Sequence, residues 1–407
     1  MEYLRPLKEQ VYSCLRCGIC RGDCVIESSG IYEAFCPIYL VKPHDVFTPR
    51  GKLMLARAYL EGKTPPEQLI DYVFACTNCN NCTLHCPLAQ IPRVDYKTKQ
   101  VTEARLLDPA KIVEAFKAEL FSKGFYPKGL NTLLESGKEK HNVCFEPHEE
   151  RFSWLPREVK ESLPKQAKYV YFVGCLSSYR FTNIAKATVE ILEKLDVDYT
   201  LIDEWCCGSS FWRIGDFKTA EEMAMHNLKE ISRAGAEYVI VSCADCYRAL
   251  KKDYAEKLKE DLDIKVLHIS ELLQSFVKEN KVKLKKVESV LRVAYHDPCS
   301  AAKHVDLYHP PRELLKAIPG IELFEMLHNK KGSFCCGAGG GITYAYPDVA
   351  LKLSSMRIQE ALNIGVKQVI SICPLCESSL SKASEALGKP IEVLDLVEVL
   401  NQRLERT

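Results

Sequence analysis

A chain of 407 residues, 47% hydrophobic and 27% charged, can build two or three soluble domains, and a formal charge of +1 argues against nucleic acid or an acidic membrane surface as its main partner. The opening MEYLRPLKEQVYS has no apolar core of a secretory leader, and no apolar run reaches the roughly 18 residues of a membrane span. The chain is therefore expected in the cytoplasm, or on the inner face of the cell membrane through a partner subunit, and its 20 cysteines point to metal or redox chemistry rather than disulfides.

The first cysteines come in two related runs. ACTNCNNCTLHCP supplies Cys76, Cys79, Cys82 and Cys86 before Pro87, the C-x2-C-x2-C-x3-C-P spacing of bacterial ferredoxins. Three thiols on one tight turn can each reach a different iron of a cubane, and in two-cluster modules the fourth crosses to the other cluster. Structural zinc instead favours two C-x2-C pairs from separate knuckles. Upstream, Cys14, Cys17 and Cys20 repeat the triple. Its fourth member is Cys24, at the right spacing but without a proline, or Cys36, within CP but after an insertion. We favour Cys36. Crossover then assigns Cys14, Cys17, Cys20 and Cys86 to one cubane, and Cys36, Cys76, Cys79 and Cys82 to the other. RGKLMLARAYLEG and PEQLIDYVFA carry apolar residues at helical spacing, and DPAKIVEAFKAELFSKG opens with an Asp cap and a proline at the first helical position. Residues 1–121 thus read as a helical domain with its clusters on loops. Residues 122–165 read as a connector, with KEKHNVCFEPHEER a solvated surface and the isolated Cys144 a small buried hydrophobe.

From residue 166 strands and helices alternate, which implies parallel sheets covered by helices. KYVYFVGC, VDYTLID, EYVIVSC and IKVLHIS read as strands, separated by FTNIAKATVEILEKL, KTAEEMAMHNLKEISRAG and DCYRALKKDYAEKL as helices. The order recurs in LRVAYHDPC, IELFEM, KQVISICPLC and IEVLDLVEVL. Cys299 lies 124 residues after Cys175, Cys335 lies 129 after Cys206, and Cys373 and Cys376 lie 130 after Cys243 and Cys246. Such constant offsets mean an internal duplication, with units at 166–287 and 288–407. The fold class expected is therefore a helical two-[4Fe–4S] ferredoxin domain followed by two duplicated, Rossmann-like parallel α/β domains.

Each repeat carries five cysteines: one after the first strand, an adjacent pair before glycine (Cys206–Cys207, Cys335–Cys336), and a C-x2-C after a later strand. Neighbouring cysteines are poorly spaced for a disulfide, and strand ends of a parallel sheet share the edge where ligands bind. Five thiols should thus converge on a metal cluster, one more than tetrahedral zinc needs. Gly208 and Gly337 would let the backbone approach it closely. CCGAGGG does not match the dinucleotide G-x-G-x-x-G turn.

These motifs resemble the cysteine-rich domain family of iron–sulfur oxidoreductases, and the whole arrangement is similar to the catalytic subunit of heterodisulfide reductases. The resemblance implies two noncubane [4Fe–4S] clusters, one on Cys175, Cys206, Cys207, Cys243 and Cys246, the other on Cys299, Cys335, Cys336, Cys373 and Cys376. It also implies reversible reduction of a disulfide, such as the coenzyme M–coenzyme B heterodisulfide, at the vicinal pairs. A redox subunit, flavoprotein or membrane cytochrome b, would exchange electrons with the two cubane clusters. His296, beside Cys299, is a candidate proton donor with an ordinary pKa near 6.5, weighed against a histidine bonded to backbone at a strand end. Arg180, Arg213 and Lys303 could receive an anionic thiol, although solvated surface charge accounts for each singly. Two other readings use the same cysteines: the electron-transfer subunit of a flavin-dependent glycolate, lactate or glycerol-3-phosphate dehydrogenase, and the partner of a small persulfide or trisulfide carrier protein.

Overall fold

The computed structural model describes residues 1–22, 24–25, 32–33, 35–94, 101–259, 264–286, 289–388 and 391–406. Contacts divide the chain into two compact units: residues 1–131 with 210–217 and 334–354, and residues 132–209 with 218–333 and 355–407.

The first unit is helical around its cysteine loops. Helix Pro49–Leu60 starts where Thr48 Oγ1 accepts from the Gly51 amide at 3.2 Å, and it buries Leu53, Ala56 and Tyr59 at helical spacing. Helix Pro109–Phe121 starts where Asp108 accepts from the Lys111 amide at 3.1 Å, and it buries Ile112, Val113, Phe116 and Leu120. The two meet through Tyr59 and Phe116, with ring centroids 5.4 Å apart. Loops from the later sequence also belong here. The turn at Gly215 presses on helix Pro109–Phe121, where an added Cβ would lie 2.8 Å from the Ala118 Cα.

The second unit holds two four-stranded sheets with parallel pairing throughout. In chain order the strands are β1 (Tyr169–Phe172), β2 (Tyr199–Thr200), β3 (Tyr238–Val241), β4 (Lys265–His268), β5 (Leu291–Tyr295), β6 (Ile321–Phe324), β7 (Gln368–Ser371) and β8 (Glu392–Asp395). Spatially they run β2-β1-β3-β4 and β6-β5-β7-β8, the same order twice. Val170 faces Val239 and Tyr171 faces Ile240 across β1 and β3, while Ala294 faces Val369 across β5 and β7. These inner strands are covered on both faces, which is why they read as unbroken apolar runs. Both fourth strands end in a side-chain cap. His268 opens helix Ile269–Lys278 and Asp395 opens helix Leu396–Asn401, each in a capping box with a glutamate three residues on.

Two expectations change. The strand in VDYTLID is only Tyr199–Thr200, because its chain must then turn to deliver Glu204 and the vicinal cysteines. The 122–165 stretch, expected as a connector with a solvated surface, contains helices Asn131–Lys140 and Arg157–Ser162 and buries Asn142, Cys144 and Arg151.

Candidate metal centres

In the first unit each cysteine triple sits on a loop with the same backbone trick. The residue before the second cysteine and the residue after it take positive φ: Arg16 (59°) and Gly18 (86°) in one loop, Asn78 (54°) and Asn80 (69°) in the other. Asparagine and glycine tolerate this region best. The left-handed steps coil the chain enough for the cysteines to face one space. Cys14, Cys17, Cys20 and Cys86 line one cavity. Cys36, Cys76, Cys79 and Cys82 line another. Each cavity therefore takes three thiols from one run and one from the other. The side chain of Cys24 lies outside the described residues.

The two cavities differ in charge and exposure. Cys17 is exposed, and Arg50 beside the first cavity is paired with Asp45. Around the second, Lys52 and Lys117 are both buried. Lys117 Nζ donates to the carbonyls of Cys76 (2.8 Å) and Gly340 (3.1 Å) and to Asn78 Oδ1 (2.9 Å). Lys52 Nζ donates to the Phe47 carbonyl. All these acceptors are neutral. Burial lowers both ammonium groups, Lys117 to about 8, against the pull of Cys76. Burial likewise pushes the Cys20 and Cys36 thiols up to about 12. Buried ammonium groups beside thiols that would not ionise alone call for an anionic occupant that holds sulfur as thiolate. The donor set therefore fits an iron–sulfur cluster.

In the second unit the cysteines cluster beyond the carboxyl ends of β1, β2 and β3. Cys175 follows β1, the Cys206–Cys207 pair follows β2, and Cys243 and Cys246 follow β3. Their thiols neighbour one another: Cys206 lies beside Cys175 and Cys207, Cys246 beside Cys207 and Cys243, and Cys373 beside Cys243. These contacts split the thiols, holding Cys175, Cys207 and Cys243 below the ordinary range, Cys243 at about 6, and pushing Cys206, Cys246 and Cys373 well above it. Cys373 belongs to the other repeat, so the two sets adjoin. Nearby, the Ala244 amide donates to the Ile372 carbonyl at 3.2 Å, and Ser300 Oγ donates to Asp245 at 2.5 Å.

Several residues at this site gave no sequence signal. Arg151, buried, donates to Cys175 Sγ at 3.6 Å and to Glu204 at 2.6 Å. Glu204 in turn accepts from the Val173 and Gly174 amides at 2.9 and 2.7 Å. Burial opposes the charge on Arg151, but Glu204 and Cys175 hold its pKa above the ordinary range. Cys144 is buried as expected, its Sγ 3.8 Å from the Cys175 carbonyl oxygen. Gly174, at φ +80°, is the glycine that close approach requires, since a Cβ there would lie 2.9 Å from Cys246 Sγ. Gly208 and Gly337, expected to serve the clusters, instead seat their loops against backbone: a Cβ would lie 3.0 Å from the Ala220 carbonyl and 2.7 Å from the Ala350 carbonyl.

Of the remaining candidates, Cys299, Cys373 and Cys376 are buried in the second unit, and Cys335 and Cys336 are buried in the first. His296 is fully buried and, among the described residues, neither ring nitrogen has a hydrogen-bond partner, so it is not a histidine bonded to backbone at a strand end. Burial, with Arg357 next, lowers it from 6.5 to about 3, leaving the ring neutral. Arg213 and Lys303 are buried rather than solvated, Lys303 donating to the Ser333 carbonyl. Arg180 is half-exposed, and it donates to Glu146 and, at 2.7 Å, to the Cys144 carbonyl.

A 4Fe-4S dicluster domain matches residues 10–89, and a cysteine-rich domain matches residues 169–251 and 293–381. The chain is 32% identical to the D-type subunit of the dihydromethanophenazine:CoB–CoM heterodisulfide reductase of Methanosarcina acetivorans, over 96% of this chain and 93% of that one. The chain belongs to this heterodisulfide reductase family. It is an iron–sulfur oxidoreductase of the heterodisulfide reductase type, and the matched domains support iron–sulfur clusters. It is also 27% identical to the EtfAB:quinone oxidoreductase of Syntrophomonas wolfei, over 97% of this chain and 58% of that one. A hypothetical protein from Helicobacter pylori shares the fold, with a TM-score of 0.54 at 12% identity, over 90% of this chain and 70% of that one. Among the described residues no helix is long and apolar enough to cross a membrane.

Proposed function

We propose that the chain reversibly reduces a disulfide such as the coenzyme M–coenzyme B heterodisulfide, RS–SR′ + 2 e⁻ + 2 H⁺ giving RSH and R′SH. Two cubane [4Fe–4S] clusters would be held by Cys14, Cys17, Cys20 and Cys86 and by Cys36, Cys76, Cys79 and Cys82. Two noncubane clusters would be held by Cys175, Cys206, Cys207, Cys243 and Cys246 and by Cys299, Cys335, Cys336, Cys373 and Cys376. When bound, such clusters supply one-electron redox centres. The observation that carries the reading is that Cys373 lies beside Cys243, where the Ala244 amide donates to the Ile372 carbonyl at 3.2 Å, so that the two five-cysteine sets adjoin. A disulfide takes two electrons, and adjoining sets can deliver them without releasing a thiyl radical.

This chain's own residues supply the rest. Arg151, held by Glu204, donates to Cys175 and fixes it in a buried setting. The vicinal pairs Cys206–Cys207 and Cys335–Cys336 present adjacent sulfurs from one short loop. The buried neutral ring of His296, three residues before Cys299, could relay a proton to a departing thiolate by giving up its own N–H as the other ring nitrogen takes one. A partner subunit, flavoprotein or membrane cytochrome b, would exchange electrons with the first unit.

The match to an EtfAB:quinone oxidoreductase favours a second reading, an electron-transfer subunit without a disulfide substrate. Anaerobic purification with iron, sulfide and zinc counts, followed by EPR with and without added thiols, separates the two. Roughly sixteen irons per chain would match four four-iron clusters, and a thiol-induced signal on oxidation supports disulfide chemistry. The same iron with no thiol response favours the relay. Roughly eight irons with zinc or nothing at the five-cysteine sets would sink the catalytic reading.

A further inference from the structure

The run GAGGG after Cys335–Cys336 matches no nucleotide turn, and its first glycine, Gly337, seats the loop on its own following helix. The other three have a different neighbour. A Cβ on Gly340 would lie 2.2 Å from the Cys76 carbonyl oxygen, and one on Gly339 would lie 2.7 Å from the Thr77 carbonyl oxygen. At Gly341 it would meet Ile214 at 2.6 Å. Real Cβ atoms do not come so close, so these positions admit only glycine without the loops moving apart. The loop that carries the second vicinal pair is thus pressed backbone to backbone onto the loop that carries Cys76 and Cys79, all within the first unit.

One side chain fastens the two loops. Lys117 Nζ bonds the Cys76 carbonyl on one side and the Gly340 carbonyl on the other, and Asn78 Oδ1 completes its three hydrogen bonds. The lysine is fully buried and donates only to neutral oxygens. Burying an ammonium this way is costly, and a helix position facing Phe74 could hold an apolar residue instead. Lys52 is the natural comparison: it is also buried beside Cys36, Cys76 and Cys82, but its hydrogen bond goes to Phe47 and reaches no residue of the glycine loop.

We propose that Lys117 is a positioning residue for electron transfer: it clamps the Cys76 loop to the glycine loop of Cys335–Cys336, and its charge raises the potential of the centre held by Cys36, Cys76, Cys79 and Cys82. Electrons then leave the first unit's cubane pair at this centre, towards the second vicinal pair. The inference rests on the reading above only in taking the cysteine sets to hold clusters. Positive charge and hydrogen bonds near a cluster raise its potential, and separation of donor and acceptor loops slows transfer between them.

The test compares Lys117→Met, Gly340→Ala and Lys52→Met with the wild-type holoprotein, by EPR-monitored redox titration and by freeze-quench EPR after mixing with a reductant. Lys117→Met should lower the midpoint of one cubane signal and slow electron arrival at the thiol-responsive centre. Gly340→Ala, whose methyl would also lie 3.1 Å from Lys117 Nζ, keeps the lysine's charge and should slow arrival with a smaller midpoint shift than Lys117→Met. Lys52→Met should lower the midpoint with arrival unchanged. Wild-type midpoint and arrival in an iron-replete Lys117→Met protein overturns the proposal, as does equal slowing in Lys52→Met. If Lys117→Met fails to assemble, iron-replete Gly340→Ala with wild-type arrival overturns it. Failure of both to assemble assigns the lysine to cluster assembly instead. A wild-type protein without any thiol-induced signal sinks the disulfide reading, while the cubane midpoints still test Lys117.

Discussion

Gly174 shows how much one residue can decide. It sits between β1 and Cys175, gives its amide to Glu204 at 2.7 Å, and leaves just enough room for Cys246 Sγ. Gly174→Ala should therefore damage the first five-cysteine set twice, by a methyl 2.9 Å from sulfur and by strain at φ +80°. The expected outcome is loss of about four irons per chain from that set, with the cubane EPR signals retained. Full iron in Gly174→Ala would mean that the loop yields more easily than its packing implies. The Arg151–Glu204 pair acts at the same scale. A buried pair of charges contributes little net stability, so its value lies in holding Arg151 in place against Cys175. Neither residue has a spacing that marks it in the sequence. Arg151 lies in a stretch with no periodicity, and Glu204 is one acid among 54 acidic residues.

At the scale of elements, the two capping boxes reveal the duplication as clearly as the cysteines do. His268 and Asp395 end matching strands and cap matching helices, by different chemistry. The histidine makes its helix acid-sensitive. Its folded pKa is lowered from 6.5 to about 3 by burial. The unfolded state therefore binds the extra proton, and stability present above pH 6.5 is lost as the pH falls towards 3. At pH 5 the loss is about 2 kcal/mol. His268→Asn keeps a capping oxygen and removes the proton, so the drop in thermal midpoint between pH 7 and pH 5 should shrink. An unchanged drop would show that other groups govern acid unfolding. The cysteine loops are also elements with a shared plan. Their paired left-handed residues occur at equivalent positions, although one loop uses Arg16 and Gly18 and the other Asn78 and Asn80.

For the whole molecule, the two four-cysteine cavities are unequal. Cys17 is exposed in one, while Cys36 and Cys79 are buried in the other. Stepwise removal of iron by a chelator, with alkylation and mass spectrometry at each step, should label Cys17 and Cys14 before Cys36 and Cys79. First labelling at Cys175 or Cys206 would reverse that order and place the weakest site in the second unit. Division of the chain by contact also departs from a simple succession along the sequence, since residues 210–217 and 334–354 pack with the N-terminal part. The glycine-rich loop explains why: residues without side chains allow backbone contacts that no periodicity announces.

The sequence by itself determined the chemistry. Cysteine spacing is local, ligand geometry is short-ranged, and a duplication leaves constant offsets, so the ferredoxin-type runs, both five-cysteine sets and the alternation of strands and helices were all legible from residue order. Only the tertiary structure decided what surrounds the sulfur. Burial, hydrogen-bond partners and the closeness of two backbones depend on residues far apart in the chain, as Arg151 does on Cys175 and Lys117 on both Cys76 and Gly340. Spacing marks the cysteines, and packing sets their charge, their protons and their neighbours.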